Sequence, residues 1–276
     1  MVRPAALTAV VAAAVAALLL AAVAAGSSAL RGRDRARAKT DQGQRVTRFP
    51  ESRLERVTRL PGAEDVERRP AAKRRTPVFR TLEVRGAVAL RSKPRGSTIA
   101  RVTGRTEFGS PTTLSVAARR GEWLGVVSTN LPNGRIGWVR KSDPALHRAP
   151  ATPISISVDL SRRTLTLNKG RSTVKRLRVA VGRPGSSTPT GRYAITDKLA
   201  GASYGPYYGC CILALSGHQP NTPAGWRGGD RLAIHGTNAP GSIGTASSAG
   251  CLRAADSDLR TLMRRVPLGT PVFIHG

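Results

Sequence analysis

The stretch Ile234–Arg253, IHGTNAPGSIGTASSAGCLR, carries a single His followed by Gly and, sixteen residues later, a Cys on a loop of Ser, Ala and Gly. These residue types suit nucleophilic catalysis. A thiol attacks as its thiolate, so it needs a base or positive surroundings to ionise near neutral pH. Small neighbours let a substrate carbonyl approach and let backbone N–H groups face the developing oxyanion. Ser247-Ser248-Ala249-Gly250-Cys251 supplies them, and His235 is the candidate base. On these residues alone, a buried structural Cys and an unrelated core His fit as well, because an isolated Cys/His pair is a weak signal.

Working outward, Gly182 and the run Thr188-Pro189-Thr190-Gly191-Arg192-Tyr193 lie upstream. Asp258–Leu262 and Leu268-Gly269-Thr270-Pro271-Val272 lie downstream. Together with His235-Gly236-Thr237 and Ser248-Ala249-Gly250-Cys251-Leu252-Arg253, this order of elements resembles the L,D-transpeptidase catalytic domain of the YkuD type, over residues 153–276. The resemblance implies a β-sandwich-like catalytic domain that forms 3→3 peptidoglycan cross-links through a cysteine thioester. It makes Cys251 the nucleophile and His235 the general base. The backbone N–H groups of Gly250 and Cys251 become the oxyanion donors, with Gly236 beside the His in a substrate or oxyanion role. Ser248 shapes the loop, and Arg253 orients the loop or a substrate carboxylate. Peptidoglycan stem peptides are the implied partners, carbapenem-type β-lactams the implied covalent inhibitors, and neither a cofactor nor a metal is needed. One departure is Ala249, where the family usually has His. Two other readings stay open: an L,D-carboxypeptidase or other acyl transferase on wall peptides, and a non-catalytic wall-binding scaffold.

The pattern around the motif is mainly β. Ile154–Val158 alternates apolar and polar residues, Arg163–Leu167 and Val174–Val181 continue the strand series, and Asn168-Lys169-Gly170 marks a turn. Asp256–Val266 is the one clear helix signal, with Asp256 as N-cap and Leu259, Leu262, Met263 and Val266 on one face. A helix dipole just behind Cys251 would favour the thiolate modestly. Ser203–Trp226, rich in Gly, Pro and Tyr, reads as a loop over one side of the site, with Cys210–Leu215 as a buried strand. Adjacent Cys210 and Cys211 are poorly placed to bond each other and read as small core or lid residues, with Cys251 as the free reactive thiol. His218 reads either as a residue that touches substrate or base chemistry or as a polar loop residue, and His147 and His275 fall outside the motif.

Residues 77–148 have short Val-, Leu- and Trp-rich segments at Thr81–Leu90, Thr113–Ala117, Trp123–Ser128 and Ile136–Arg140, broken by Gly, Asn and Pro. This predicts a small antiparallel barrel with Asn133-Gly134 as a hairpin turn. Glu122-Trp123-Leu124-Gly125-Val126 with Gly137-Trp138-Val139 resembles bacterial SH3-like domains. His147–Pro153 reads as a joint to the catalytic part. Residues 26–76 are polar, Arg-rich and interrupted by Pro, as in a disordered linker. Residues 1–25 hold an uncharged Ala/Val/Leu run, either a secretory signal or a membrane anchor; the family resemblance implies that the catalytic part lies outside the membrane, because its substrate does.

The net charge of +29 is spread along the chain, and no nucleic-acid-binding motif accompanies it. Dispersed positive charge fits adsorption to an anionic envelope surface, or coding bias, rather than a nucleic-acid partner. Oligomeric state is not legible.

Overall fold

The computed structural model describes residues 76–276. The apolar run and most of the linker therefore lie outside the described residues. Within them the chain is mainly β, as the alternation requires.

The first seven strands are β1 (Phe79–Val84), β2 (Ala87–Arg91), β3 (Thr98–Thr103), β4 (Thr113–Arg120), β5 (Trp123–Val127), β6 (Gly137–Arg140) and β7 (Leu146–Thr152). They form one antiparallel sheet in the order β3-β2-β6-β5-β4-β1-β7 around Val88, Leu90, Val126 and Val139. The predicted segment Thr81–Leu90 is two strands, because the chain breaks at Gly86, whose φ of 142° only Gly adopts readily. The expected joint at His147–Pro153 is instead mostly strand β7, paired with β1. Asn133-Gly134 does not make a tight hairpin. It sits in the longer β5–β6 connection, where the Asn133 side chain bonds both the N–H and the carbonyl of His218.

The remaining strands are β8 (Ile154–Asp159), β9 (Thr164–Lys169), β10 (Ser172–Arg178), β11 (Val181–Gly182), β12 (Gly191–Ala200), β13 (Cys211–His218), β14 (Arg231–His235), β15 (Ala246–Ser248), β16 (Leu252–Arg253) and β17 (Pro271–His275). Eight of them form a sheet ordered β10-β9-β8-β17-β12-β13-β14-β16, and β11 pairs with β15 alongside. Strand β12 belongs to both halves of this sheet. Its first residues pair with β17 and its later ones with β13, with a register irregularity between Ile195 and Asp197. Side chains of both halves, such as Ile156, Leu165, Leu213 and Ile234, share one core.

Helix α1 (Asp256–Arg265) turns Leu259 and Leu262 into that core. Ten residues are too few for a stable isolated helix, so packing holds it, each buried Leu contributing about 1.5–3 kcal/mol. The N-cap is Ala255 rather than Asp256. Asp256 begins the helix, and its Oδ1 accepts the Thr237 N–H at 3.3 Å, tying α1 to the segment after His235.

The two sheets touch through specific contacts. The Arg192 guanidinium of β12 donates to the carbonyls of Val116 and Ala117 on β4 and stacks on Phe273. Phe79 meets Phe273 with ring centroids 6.2 Å apart.

Candidate active site

Strand β14 ends at His235, and β16 runs beside it in parallel, with Ile234 opposite Leu252 and His235 opposite Arg253. This pairing brings Cys251 to the neighbouring strand, two residues out of register with His235. The fifteen intervening residues close a loop and return through β15.

His235 is completely buried, with Nδ1 2.6 Å from the Gly236 carbonyl. A carbonyl only accepts, so Nδ1 carries the proton and Nε2 keeps its lone pair. Nε2 has no hydrogen-bond partner. Burial pushes the imidazole down to about 4, reinforced by the Arg253 charge and opposed by the Gly236 bond. The rings of Tyr208 and Tyr207 pack on it at 4.9 and 5.5 Å between centroids.

Cys251 is a free thiol that retains part of its surface. Its Sγ points at the Arg231 carbonyl, 3.7 Å away, and no hydrogen bond joins it to the His235 ring. Burial pushes the thiol up to about 11, against the pull of an Ala233 backbone bond and the Arg253 charge. Desolvation therefore outweighs both. At rest the pair is a neutral thiol and a neutral imidazole.

The loop before Cys251 is fixed from several directions. Ser248 is fully buried; its hydroxyl donates to the Cys251 carbonyl at 2.6 Å and accepts the Gly250 N–H at 3.0 Å. Thr188 of the Thr-Pro motif donates to the Gly250 carbonyl at 2.8 Å and accepts the Gly182 N–H, so the upstream motif is a brace for this loop. Tyr193 closes the same motif by donating to the Pro189 and Thr190 carbonyls. Gly250 has φ of 120°, and a Cβ there would lie 2.0 Å from Gln219 Nε2. Gln219 in turn donates to the carbonyls of Ser186, Ser187 and Ala249.

Two assignments change as a result. The Gly250 N–H is taken by Ser248, and the Gly236 N–H by the Cys211 carbonyl at 3.0 Å. Neither faces an oxyanion. Gly236 instead holds the His235 tautomer, and a Cβ there would strike Asp256 Oδ1 at 2.1 Å. Arg253 lies over the Tyr207 ring, 4.6 Å from its centroid, and donates to the Tyr207 hydroxyl, while its Nε has no partner.

Cys210 and Cys211 are bonded to each other, contrary to the expectation from their adjacency. Gly209, with φ of 59°, turns the chain just before them and packs against Thr237 and Asp256. His218 is held between the Thr129 carbonyl and Asp230 rather than facing Cys251. Sequence reading also missed Arg231. Its carbonyl faces the thiol, and its guanidinium meets Glu107 of the β3–β4 loop, Thr196 and the buried Asp197. Asp197 Oδ1 accepts from Thr106 of the same loop. No group of His, Cys, Asp or Glu suited to a metal ion occurs among the described residues.

The family model for the L,D-transpeptidase catalytic domain (YkuD) matches residues 153–274, which include this whole loop system. YkuD of Bacillus subtilis (strain 168), named an L,D-transpeptidase, is 34% identical over 134 residues, 48% of this chain and 72% of that protein. The chain belongs to the YkuD-type L,D-transpeptidase family. It therefore carries an L,D-transpeptidase catalytic domain, an acyltransferase. YbiS of Escherichia coli (strain K12), also named an L,D-transpeptidase, is 33% identical over 117 residues, 38% of each chain. Among solved structures, an L,D-transpeptidase from Mycobacterium smegmatis is 18% identical with a TM-score of 0.39, covering 73% of this chain and all of that one. L,D-transpeptidase 3 of Mycobacterium tuberculosis, solved with a faropenem-derived adduct, is 16% identical with a TM-score of 0.37, covering 52% and 69%.

Proposed function

We propose that this domain makes 3→3 cross-links in peptidoglycan through a thioester on Cys251. The observation that carries the reading is the buried His235. Its Nδ1–H is spent on Gly236 and its Nε2 is unpartnered, on the strand paired with the Cys251 segment. A neutral imidazole beside a neutral thiol is suited to take the sulfur's proton during attack rather than before it.

In the first half-reaction the Cys251 sulfur bonds to the carbonyl carbon of the stem's third residue as its proton passes to His235 Nε2. The Cys251 N–H is the remaining oxyanion donor, since the Gly250 N–H is bonded to Ser248. Collapse breaks the amide C–N bond, and D-alanine leaves with the proton from His235. In the second half an acceptor amine attacks the thioester and gives a proton to His235. The C–S bond breaks, and the thiol is restored. A β-lactam would acylate the same sulfur, the four-membered ring opening in place of D-alanine departure.

The chain would then comprise an export or anchor segment in residues 1–25, a linker in 26–76, an SH3-like module in 77–148 and the catalytic domain in 153–276. The catalytic domain works outside the membrane, where its substrate lies. Incubating the full-length protein with tetrapeptide stems and reading products and intact protein by mass spectrometry tests the proposal. Cross-linked dimers and a Cys251 acyl-enzyme are expected, and both vanish in Cys251→Ala. Release of tripeptide without dimer means that water is the acceptor, and turnover undiminished in Cys251→Ala refutes the mechanism.

A further inference from the structure

Cys251 lines a narrow slot together with Tyr208, Gln219 and Ala249. Ala249, with Tyr207 and Trp226, also lines a second, larger basin of about 250 Å³ that adjoins the slot. Arg183 and Arg253 stand in that basin, with Tyr207 and Trp226 as aromatic walls whose ring centroids are 6.0 Å apart. None of the described residues lining it is acidic, and neither arginine has a carboxylate partner among the described residues.

Both cations are tied to the nucleophile's own loop. Arg253 follows Cys251 by two residues and is held flat on Tyr207, with Nε buried and unpartnered. The Arg183 N–H donates to the Ser248 carbonyl at 2.9 Å, and its carbonyl accepts from Ser186, so its backbone is pinned while its side chain is exposed. Two uncompensated guanidinium groups in a small aromatic-walled basin form a site for a planar anion, because arginine's donor fork matches a carboxylate. We infer that the Arg183–Arg253 basin binds a free carboxylate of the donor stem and selects donors that carry one there. The inference rests on the transpeptidase reading above and adds to it the charge of the substrate.

Two carboxylates lie on the residues that flank the scissile bond of a donor stem: that of a diamino diacid side chain at the third position, and that of the terminal D-alanine. The experiment separates them. Full-length wild type, Arg183→Gln and a control, Arg171→Gln on the exposed β9–β10 turn, are each given three synthetic tetrapeptides. One has both carboxylates free, one has the third-residue carboxylate as carboxamide, and one has the C-terminus as carboxamide. Acyl-enzyme formation on Cys251 is followed by intact mass, giving kcat and KM for each.

Arg183→Gln is expected to lower kcat/KM for the fully charged donor about 10- to 100-fold, mainly through KM, as for a lost charge-assisted bond. The wild-type-to-variant ratio should collapse toward one for the donor whose bound carboxylate has been amidated, which identifies that carboxylate. Arg171→Gln should show no such dependence. A loss in Arg183→Gln that is equal for all three donors, or no loss at all, overturns the carboxylate site while leaving the transpeptidase reading intact. Failure of all three donors to acylate wild type refutes that reading and the site with it.

Discussion

Because His235 is buried with no carboxylate beside it, acid should destabilise the fold through this one ring. In the unfolded chain the imidazole takes up a proton as pH falls through 6.5, whereas in the fold it resists until about 4. Between these values the unfolded state binds more protons. The contribution is therefore complete above pH 6.5 and is lost as pH falls toward 4. A gap of about 2.5 pH units corresponds to roughly 3 kcal/mol, a large share of the stability of an ordinary domain. The assay is urea denaturation of the full-length protein and of His235→Gln at several pH values between about 4 and 7.5. Gln does not titrate, and the other three histidines are common to both proteins, so the difference in pH slope isolates position 235. The same neutral ring should keep β-lactam acylation nearly level from about pH 7 to about pH 5, where an ordinary imidazole would be largely protonated. Identical pH slopes in the two proteins would refute the argument. So would a His235 ring resonance that titrates near the ordinary histidine value.

Gly250→Ala places a methyl against Gln219 at a φ that disfavours any side chain, so acylation should fall at least about tenfold while the fold survives; circular dichroism and adduct rates check both. Ala249→His restores the imidazole usual in the family, but His235 already supplies a base. Side-by-side β-lactam acylation rates should therefore differ by less than about tenfold, and a gain of a hundredfold or more would assign the missing chemistry to position 249. Thr106→Val removes the hydroxyl that bonds the fully buried Asp197, whose Oδ2 makes no hydrogen bond and faces only the Arg231 guanidinium at 3.9 Å. Stability should drop by about 1–3 kcal/mol in urea denaturation, and an unchanged midpoint would mean that the contact is not formed in solution.

Most of the strands and the helix were legible because they depend on local chemistry. Ile156 and Val158 alternate with serines in β8, and Leu259 and Leu262 recur at helical spacing in α1. The candidate nucleophile and base were equally legible, since a Cys among small residues and a His-Gly pair are chemical statements in themselves. Strand β7 was not, because its Ala, Pro and Arg residues gain strand character only from pairing with β1.

What surrounds the thiol was decided by the tertiary structure alone. Gln219 has no local mark, yet it gathers the carbonyls of Ser186, Ser187 and Ala249 from segments about 30 residues away. Arg231 reads as a surface cation until Glu107 and Asp197 close on it. Sequence set the protonatable groups. Burial set their charge, because desolvation depends on every segment packed around a group: it pushes the His235 imidazole down and the Cys251 thiol up until both rest neutral.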